Sequence, residues 1–416
     1  MMCSNSIDTV GKYCQENGHI YKYKNVSRVI PLAMVDDLLT ISPCGSETIA
    51  MNTTINTLIE LKKLEFHTPE ENKKSKCHSM HIGKQTNTCP SMKVHGKVAD
   101  RVSEAVYLGD VVSQDGKNTK NVQNRVPKGM GIVTEIMDIL NTVSFGSKYF
   151  EIAIILREAK LINGILTNVE VWYGLQTKEI CELEEVDKLL LRRIFQVPNS
   201  ACIESLYLEL GLTPIRGIIK ARRINYLHTL VQLKDEEMLF RFFEAQWKYP
   251  VKNDWVNQVK EDLVDFDLDL TLDEIKTKSK NVFKKMVKNK MKEFSLNYLN
   301  KLKEKHSKMD NLVYPKLKTQ NYLKDGEINV QAAKNLFKWR TRAALFKMNY
   351  SNSYEDTSCP SCLAEPDTQA HSLECSVIKQ MIDVKGDYLE IFQEDVPSDI
   401  SNTLLKISKF REELFK

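Results

Sequence analysis

Two stretches of this 416-residue chain hold residue types at spacings that could do chemistry. In "CPSCLAEPDTQAHSLEC" the pattern is Cys359-x2-Cys362-x8-His371-x3-Cys375, which gathers three of the chain's ten cysteines and one of its eight histidines. A Cys-x-x-Cys turn lets two sulfurs reach one ion, and the loop after it returns a second pair. The spacing therefore predicts tetrahedral Zn2+ held by Cys359, Cys362, His371 and Cys375, in a knuckle that owes its folding to the metal. The alternative is four unconnected residues in a polar tail.

In "PLAMVDDLLTIS", Asp36 and Asp37 lie between apolar runs of strand length, Ile30 to Val35 and Leu38 to Ile41. An Asp pair is ordinary in a turn, where aspartate bonds its own backbone. Held rigidly between two buried strands, the same pair could bind Mg2+ for phosphoryl transfer. "KCHSMH", with Cys77, His78, His81 and nearby Cys89, suits a metal less well. In a strand His78 and His81 point to opposite faces. His228 and His306 have no partner in their local sequence.

Charge provides a third feature. Residues 276–308 contain twelve lysines and no arginine against Glu293 and Glu304, a net of +10 in a chain whose total is +4, so the rest carries −6. Such a segment offers salt-sensitive, sequence-independent affinity for phosphates. Lys284, Lys285, Lys288 and Lys290 are its centre, Phe283, Phe294 and Tyr298 could stack on bases, and Arg340 and Arg342 follow. The bland reading is a solvated helix face, with Val282, Met286, Val287 and Leu299 turned to a core.

Elements must position these groups. The apolar runs around the Asp pair predict a hairpin with the acids at its tip, and Ser46 N-caps a helix that runs to Leu64 with apolar residues at helical spacing. Short strands are expected at 77–83, 92–96 and 105–113. From Val122 the pattern turns helical, at 120–142, 148–172, 178–196 and 215–246, and again at 330–348. "YPVKND" (249–254) reads as a boundary. The fold class is α+β. Hydrophobic content of 42% and charged content of 27% exclude a fibrous or wholly disordered chain. Ten scattered cysteines exclude a disulfide scaffold. No secretory leader is apparent, and the most apolar long segment is broken by Glu151, Arg157, Glu158 and Lys160. The expectation is an intracellular protein, of cytoplasm and nucleus, without a membrane partner.

"LAMVDDLL" resembles the Tyr/Phe-x-Asp-Asp palm motif of reverse transcriptases, with the aromatic residue absent. "INTLIELKKLEFHTPEENKKSKCHSMHIG" is similar to the palm segment after that pair, and "AVYLGDVVSQDGK" resembles the primer-grip region. "RVPKGMGIVTEIMDIL", "LLLRRIFQVPNSACIESLYLELGLTPIRGIIKARRINYLHTLV" and the terminal Cys-Cys-His-Cys pattern look like the thumb and tail of non-LTR (LINE-type) retrotransposon proteins. The resemblance covers roughly residues 1 to 376.

It implies a truncated polymerase palm over 1–118, a helical thumb over 119–248, a lysine-rich helical nucleic-acid-binding segment over 249–350, the zinc knuckle at 351–380 and a helical tail at 381–416. Asp36, assisted by Asp37, would hold Mg2+; Lys76 or Lys74 would neutralise the leaving pyrophosphate. Tyr107, Leu108 and Gly109 would lie near the primer end, and the knuckle would bind template. The partners implied are an RNA template, a DNA target or primer, and the upstream part of the polyprotein. The family's third palm aspartate, fingers and Gln-Gly element precede the Asp pair, and Asp8 is no obvious substitute. The expectation is thus a fragment of an RNA-directed DNA polymerase that is inactive alone. Two alternatives stay open: a non-catalytic zinc-dependent RNA/DNA-binding protein derived from such an element, and a zinc-stabilised helical interaction protein.

Overall fold

Apolar residues recurring every three or four positions dictate long helices over most of the chain, and these helices form in the computed structural model. The structure describes residues 16, 21–23, 26–28, 31–34, 37–41, 45–62, 78–82, 92–94, 97–306, 309–324 and 326–414. The protein is mainly helical with few, short strands, which fits the α+β class. Among the described residues no helix is long and apolar enough to cross a membrane.

The strands pair two by two. β1 (Tyr21–Tyr23) runs antiparallel to β2 (Val26–Arg28), and β3 (Pro31–Met34) to β4 (Asp37–Thr40). β5 (His78–Ser79) lies parallel to β8 (Asp100–Arg101), and β6 (Lys93–Val94) antiparallel to β7 (Lys97–Val98). β9 (Glu104–Tyr107) turns into β10 (Asp110–Ser113). These are five separate two-stranded ladders among the described residues, with α1 (Gly45–Lys62) between β4 and β5. The β9–β10 turn places Leu108 at φ 49° and Gly109 at φ 84°, the double positive-φ geometry whose twist suits a two-residue hairpin.

The helical part begins with α2 (Thr119–Thr142), whose buried Val122, Gly129, Val133, Ile136 and Leu140 form one stripe. α3 (Tyr149–Leu156) continues through a π-helical stretch, Arg157–Ile162. α4 (Thr177–Phe195) packs along α2. Gly129 permits this approach, because a Cβ there would lie 2.8 Å from side-chain atoms of Ile165 and Val186. The π-helical stretch delivers Arg157 into the interior, where its guanidinium makes two bonds to Asp187 at 2.7 and 2.6 Å and one to the Thr213 carbonyl at 3.0 Å. The Tyr207 hydroxyl donates to the same carboxylate at 2.9 Å. This buried pair is satisfied on both sides, as burial of two charges requires.

Next come α5 (Ile203–Leu210), α6 (Ile215–Val231), α7 (Met238–Lys248), α8 (Trp255–Asp265), α9 (Leu272–Thr277) and the 24-residue α10 (Lys280–Lys303). The periodic stretch 215–246 is thus two helices, interrupted near Leu233 to Glu237, where the Glu237 carboxylate accepts from the Lys234 N–H at 3.0 Å. α11 (Val330–Arg340), α12 (Gln369–Glu374), α13 (Ser376–Met381) and α14 (Ser398–Leu414) complete the chain.

Among the described residues two hydrophobic cores result. The larger joins α2 to α5 with residues 309–346, the Cys/His segment and α14; the smaller gathers the second half of α6, α7 to α9 and the start of α10. α6 and α10 pack on each other and feed both, through Ile219 and Ile224 in one and Leu299 and Phe283 in the other. The smaller core runs on across residues 249–254, from Phe243 to Trp255, and the larger across residue 350, from Phe346 to Cys359.

Candidate functional site

The Cys/His pattern is local in sequence, and the fold closes it. Cys359 opens a turn in which the Leu363 N–H donates back to the Cys359 carbonyl at 2.9 Å, with Leu363 itself at φ 58°. The Cys359 N–H donates to the Glu365 carbonyl at 2.7 Å, and Ser358 forms an antiparallel bridge with Pro366. Thr368 then caps α12 by accepting from the His371 N–H at 3.0 Å, and the Cys375 N–H donates to the His371 carbonyl. The two halves meet, so that one ligand atom from each of Cys359, Cys362, His371 and Cys375 lies within 4.8 Å of the others.

These four groups could hold a metal ion such as zinc. Bonds of about 2.0 Å to nitrogen and 2.3 Å to sulfur give a tetrahedron whose sulfur–nitrogen edge is about 3.5 Å, and Cys362 Sγ stands 3.3 Å from His371 Nε2. The backbone N–H groups of Ala364 and Glu365 point at Cys362 and draw its thiol down to about 6, with His371 and Cys359 adding to the effect. Burial pushes the Cys375 thiol up, against N–H bonds from Ile378 and Val377. Peptide N–H groups aimed at the sulfurs are what thiolate ligands need around them.

The cluster is fastened to the main core rather than hung from it. Cys359 and Cys375 are buried among the core residues. Asp367, fully buried, accepts from Arg411 of α14 at 2.7 Å and from the Lys347 N–H at 2.8 Å. Gln369 donates to the Trp339 carbonyl of α11 at 2.7 Å. The outer surface of the loop is exposed and acidic at Glu355, Asp356 and Glu365.

The lysine-rich segment becomes α10. Its buried side is Phe283, Val287, Ser295 and Leu299, and its exposed side carries Lys280, Lys284, Lys285, Lys288 and Lys292. Lys290 is half-buried, with Asp267 at 3.0 Å and Glu293 at 3.3 Å. The aromatic residues expected to stack on bases are engaged inside: Phe283 stacks on His228 at 4.7 Å, Phe294 packs on Phe266 at 5.4 Å, and Tyr298 lies under the Arg216 guanidinium at 4.5 Å. Of the inward residues in the bland reading, Val287 and Leu299 are buried, whereas Val282 is exposed.

Arg340 is not on the basic surface. It is 3% exposed, donates to Glu209 at 3.1 Å and to the Ile391 and Gln393 carbonyls at 2.6 and 2.9 Å, and lies 5.3 Å from the centre of the Tyr322 ring. Arg342, at φ 51° just past the helix end, stays half-exposed. Tyr107 ends β9 and Gly109 is the second residue of the β9–β10 turn, its carbonyl accepting from the buried Arg125 at 2.9 Å. The hairpin expected around the Asp pair is present, but Asp37 pairs with Met34 as the first residue of β4 rather than lying at the tip. Asp36, Lys74 and Lys76 lie outside the described residues, and Asp37 is described in backbone only, so the expected Mg2+ ligands gain no support.

Sequence reasoning missed Lys334. It lines a 670 Å3 groove between the end of α2 and the start of α11, donates to the Tyr149 hydroxyl at 3.1 Å, and is drawn down to about 8 by burial and by Lys338. No family model, no curated protein and no solved structure matches this chain.

Proposed function

We propose that the chain is a zinc-stabilised, non-catalytic nucleic-acid-binding protein that takes the phosphate backbone of RNA or DNA on the exposed face of α10. The observation that carries this reading is the division of α10 itself. Phe283, Val287 and Leu299 are buried on one side, and Lys284, Lys285, Lys288 and Lys292 are exposed on the other without an acidic partner among the described residues. A stripe of uncompensated ammonium groups on a rigid helix attracts phosphates without reading sequence. The Cys/His cluster serves as scaffold in this reading, because the acidic loop around it would repel phosphates and its Gln369 and Asp367 bond to α11 and α14. Electrophoretic shift of a labelled single-stranded RNA tests it: binding survives Asp36→Ala and weakens when Lys284, Lys285, Lys288 and Lys292 become Gln. Binding unchanged in the Gln variant defeats the proposal.

The β3–β4 pairing favours a second reading, in which this binding protein is part of a non-LTR reverse transcriptase and the Asp pair belongs to its palm. Primer extension on an RNA template distinguishes the two. Mg2+-dependent synthesis that Asp36→Ala abolishes would replace the non-catalytic reading.

A further inference from the structure

A second convergence of ligand-type side chains lies outside the Cys/His loop. Cys202 ends the connection before α5, Glu204 sits in the first turn of α5, and His306 follows α10 about a hundred residues later. The fold brings Cys202 Sγ to 3.1 Å from Glu204 Oε2 and His306 Nε2 to 3.5 Å from the same oxygen. One ligand atom from each residue lies within 4.8 Å of the other two.

Two features make this more than a hydrogen-bonded turn. First, the Glu204 carboxylate is nearly buried, yet its ion pair is with a half-exposed imidazole that is charged only when protonated. A carboxylate withdrawn from water needs a cation, and here the groups around it are themselves metal donors. Second, the edges of a coordination tetrahedron run from about 3.3 to 3.7 Å for bonds of about 2.0 to 2.3 Å; the 3.5 Å spacing of His306 from Glu204 falls in that range, and the 3.1 Å spacing of Cys202 from Glu204 is a little shorter. Cys202 and Glu204 are held by α5, and the Ser205 hydroxyl fixes the turn by donating to the Cys202 carbonyl at 2.6 Å. His306 lies just beyond α10 and is half-exposed, which leaves one side of the cluster facing solvent.

We propose that Cys202, Glu204 and His306 form a three-ligand site for a divalent transition metal of the zinc or cobalt type, with a fourth position open to water. Binding exchanges the thiol proton, now shared with Glu204, for the ion, and ties the end of the lysine-bearing helix to α5. Three protein ligands with one open position is the arrangement of reactive rather than purely structural zinc.

The test is zinc content of the full chain after equilibration with excess zinc and removal of free metal, read by mass spectrometry. His306→Ala alters an exposed side chain, and its fold is verified by circular dichroism. It is expected to carry one equivalent less than the wild type, as is Cys202→Ala. Equal zinc content in wild type and His306→Ala overturns the proposal. Because the reading is a difference of one equivalent, it is independent of the Cys/His loop and of nucleic-acid binding.

Discussion

Arg340 provides the sharpest test of how charge is distributed in this protein. Its sequence setting, beside Arg342 and after a lysine-rich run, suggests a phosphate contact, yet its guanidinium is enclosed by Glu209, the Ile391 and Gln393 carbonyls and the Tyr322 ring. Truncation to Ala would remove the guanidinium from the fully buried Glu209 carboxylate and leave it the Tyr314 hydroxyl, which donates at 2.6 Å. Two carbonyls would also lose their donor. Breaking one side of a buried pair costs about 3–5 kcal/mol, and each orphaned carbonyl adds about 1 kcal/mol or more. Relaxation and water entry offset part of this, so Arg340→Ala is expected to lose about 4 kcal/mol, a fall in melting temperature of about 5 °C at roughly 2.1 cal/mol/K of unfolding entropy per residue. Denaturant unfolding followed by circular dichroism measures it, and nucleic-acid affinity per folded molecule should stay within about twofold, a change below about 0.5 kcal/mol. A variant that unfolds within about 1 kcal/mol of wild type while losing nucleic-acid affinity would refute the placement of Arg340 in the core.

Other consequences follow from the same geometry. Adding a methyl group with Gly129→Ala pushes a Cβ to 2.8 Å from Ile165 and Val186 side-chain atoms; overpacking of this kind costs about 1–3 kcal/mol, which urea unfolding would measure. Chelation of zinc should loosen the core around Cys359 and Cys375, with a loss of about 4 kcal/mol where free zinc exceeds its dissociation constant a thousandfold; thermal melts with and without chelator check this. Lys334 is drawn down to about 8, while the unfolded amine titrates near about 10.4. Between these values the unfolded chain binds more protons, so stability rises with pH. The rise is about 1 kcal/mol after screening by solvent in the open groove, and Lys334→Met should abolish it. Unfolding of both proteins at pH 7.5 and 9.5 makes the comparison.

Much of the scaffold was legible because helical periodicity is a local property. α2 and α4 fall within a residue or so of the stretches their apolar spacing marks, and Cys359, Cys362, His371 and Cys375 converge because their spacing already confines them to one loop. The break inside 215–246 was missed, since apolar residues continue on either side of Leu233 to Glu237. What sequence could not give is long-range pairing. Arg340 meets Glu209 across 131 positions, and His306 reaches Glu204 only when α5 and α10 are packed. Nor could it show which way aromatic residues face: Phe283 and Tyr298 lie on the same helix as the lysines but are used against His228 and Arg216.

The central claim is that phosphates meet the lysines of α10, and the salt dependence of RNA affinity tests it most directly. Each phosphate neutralised on a single strand contributes about 0.7 to the slope of log affinity against log salt. Charge removal at Lys284, Lys285, Lys288 and Lys292 should therefore flatten that slope by about 2 to 3, with the melting temperature unchanged. An unchanged slope, or RNA binding that disappears only when the protein unfolds, would contradict the claim.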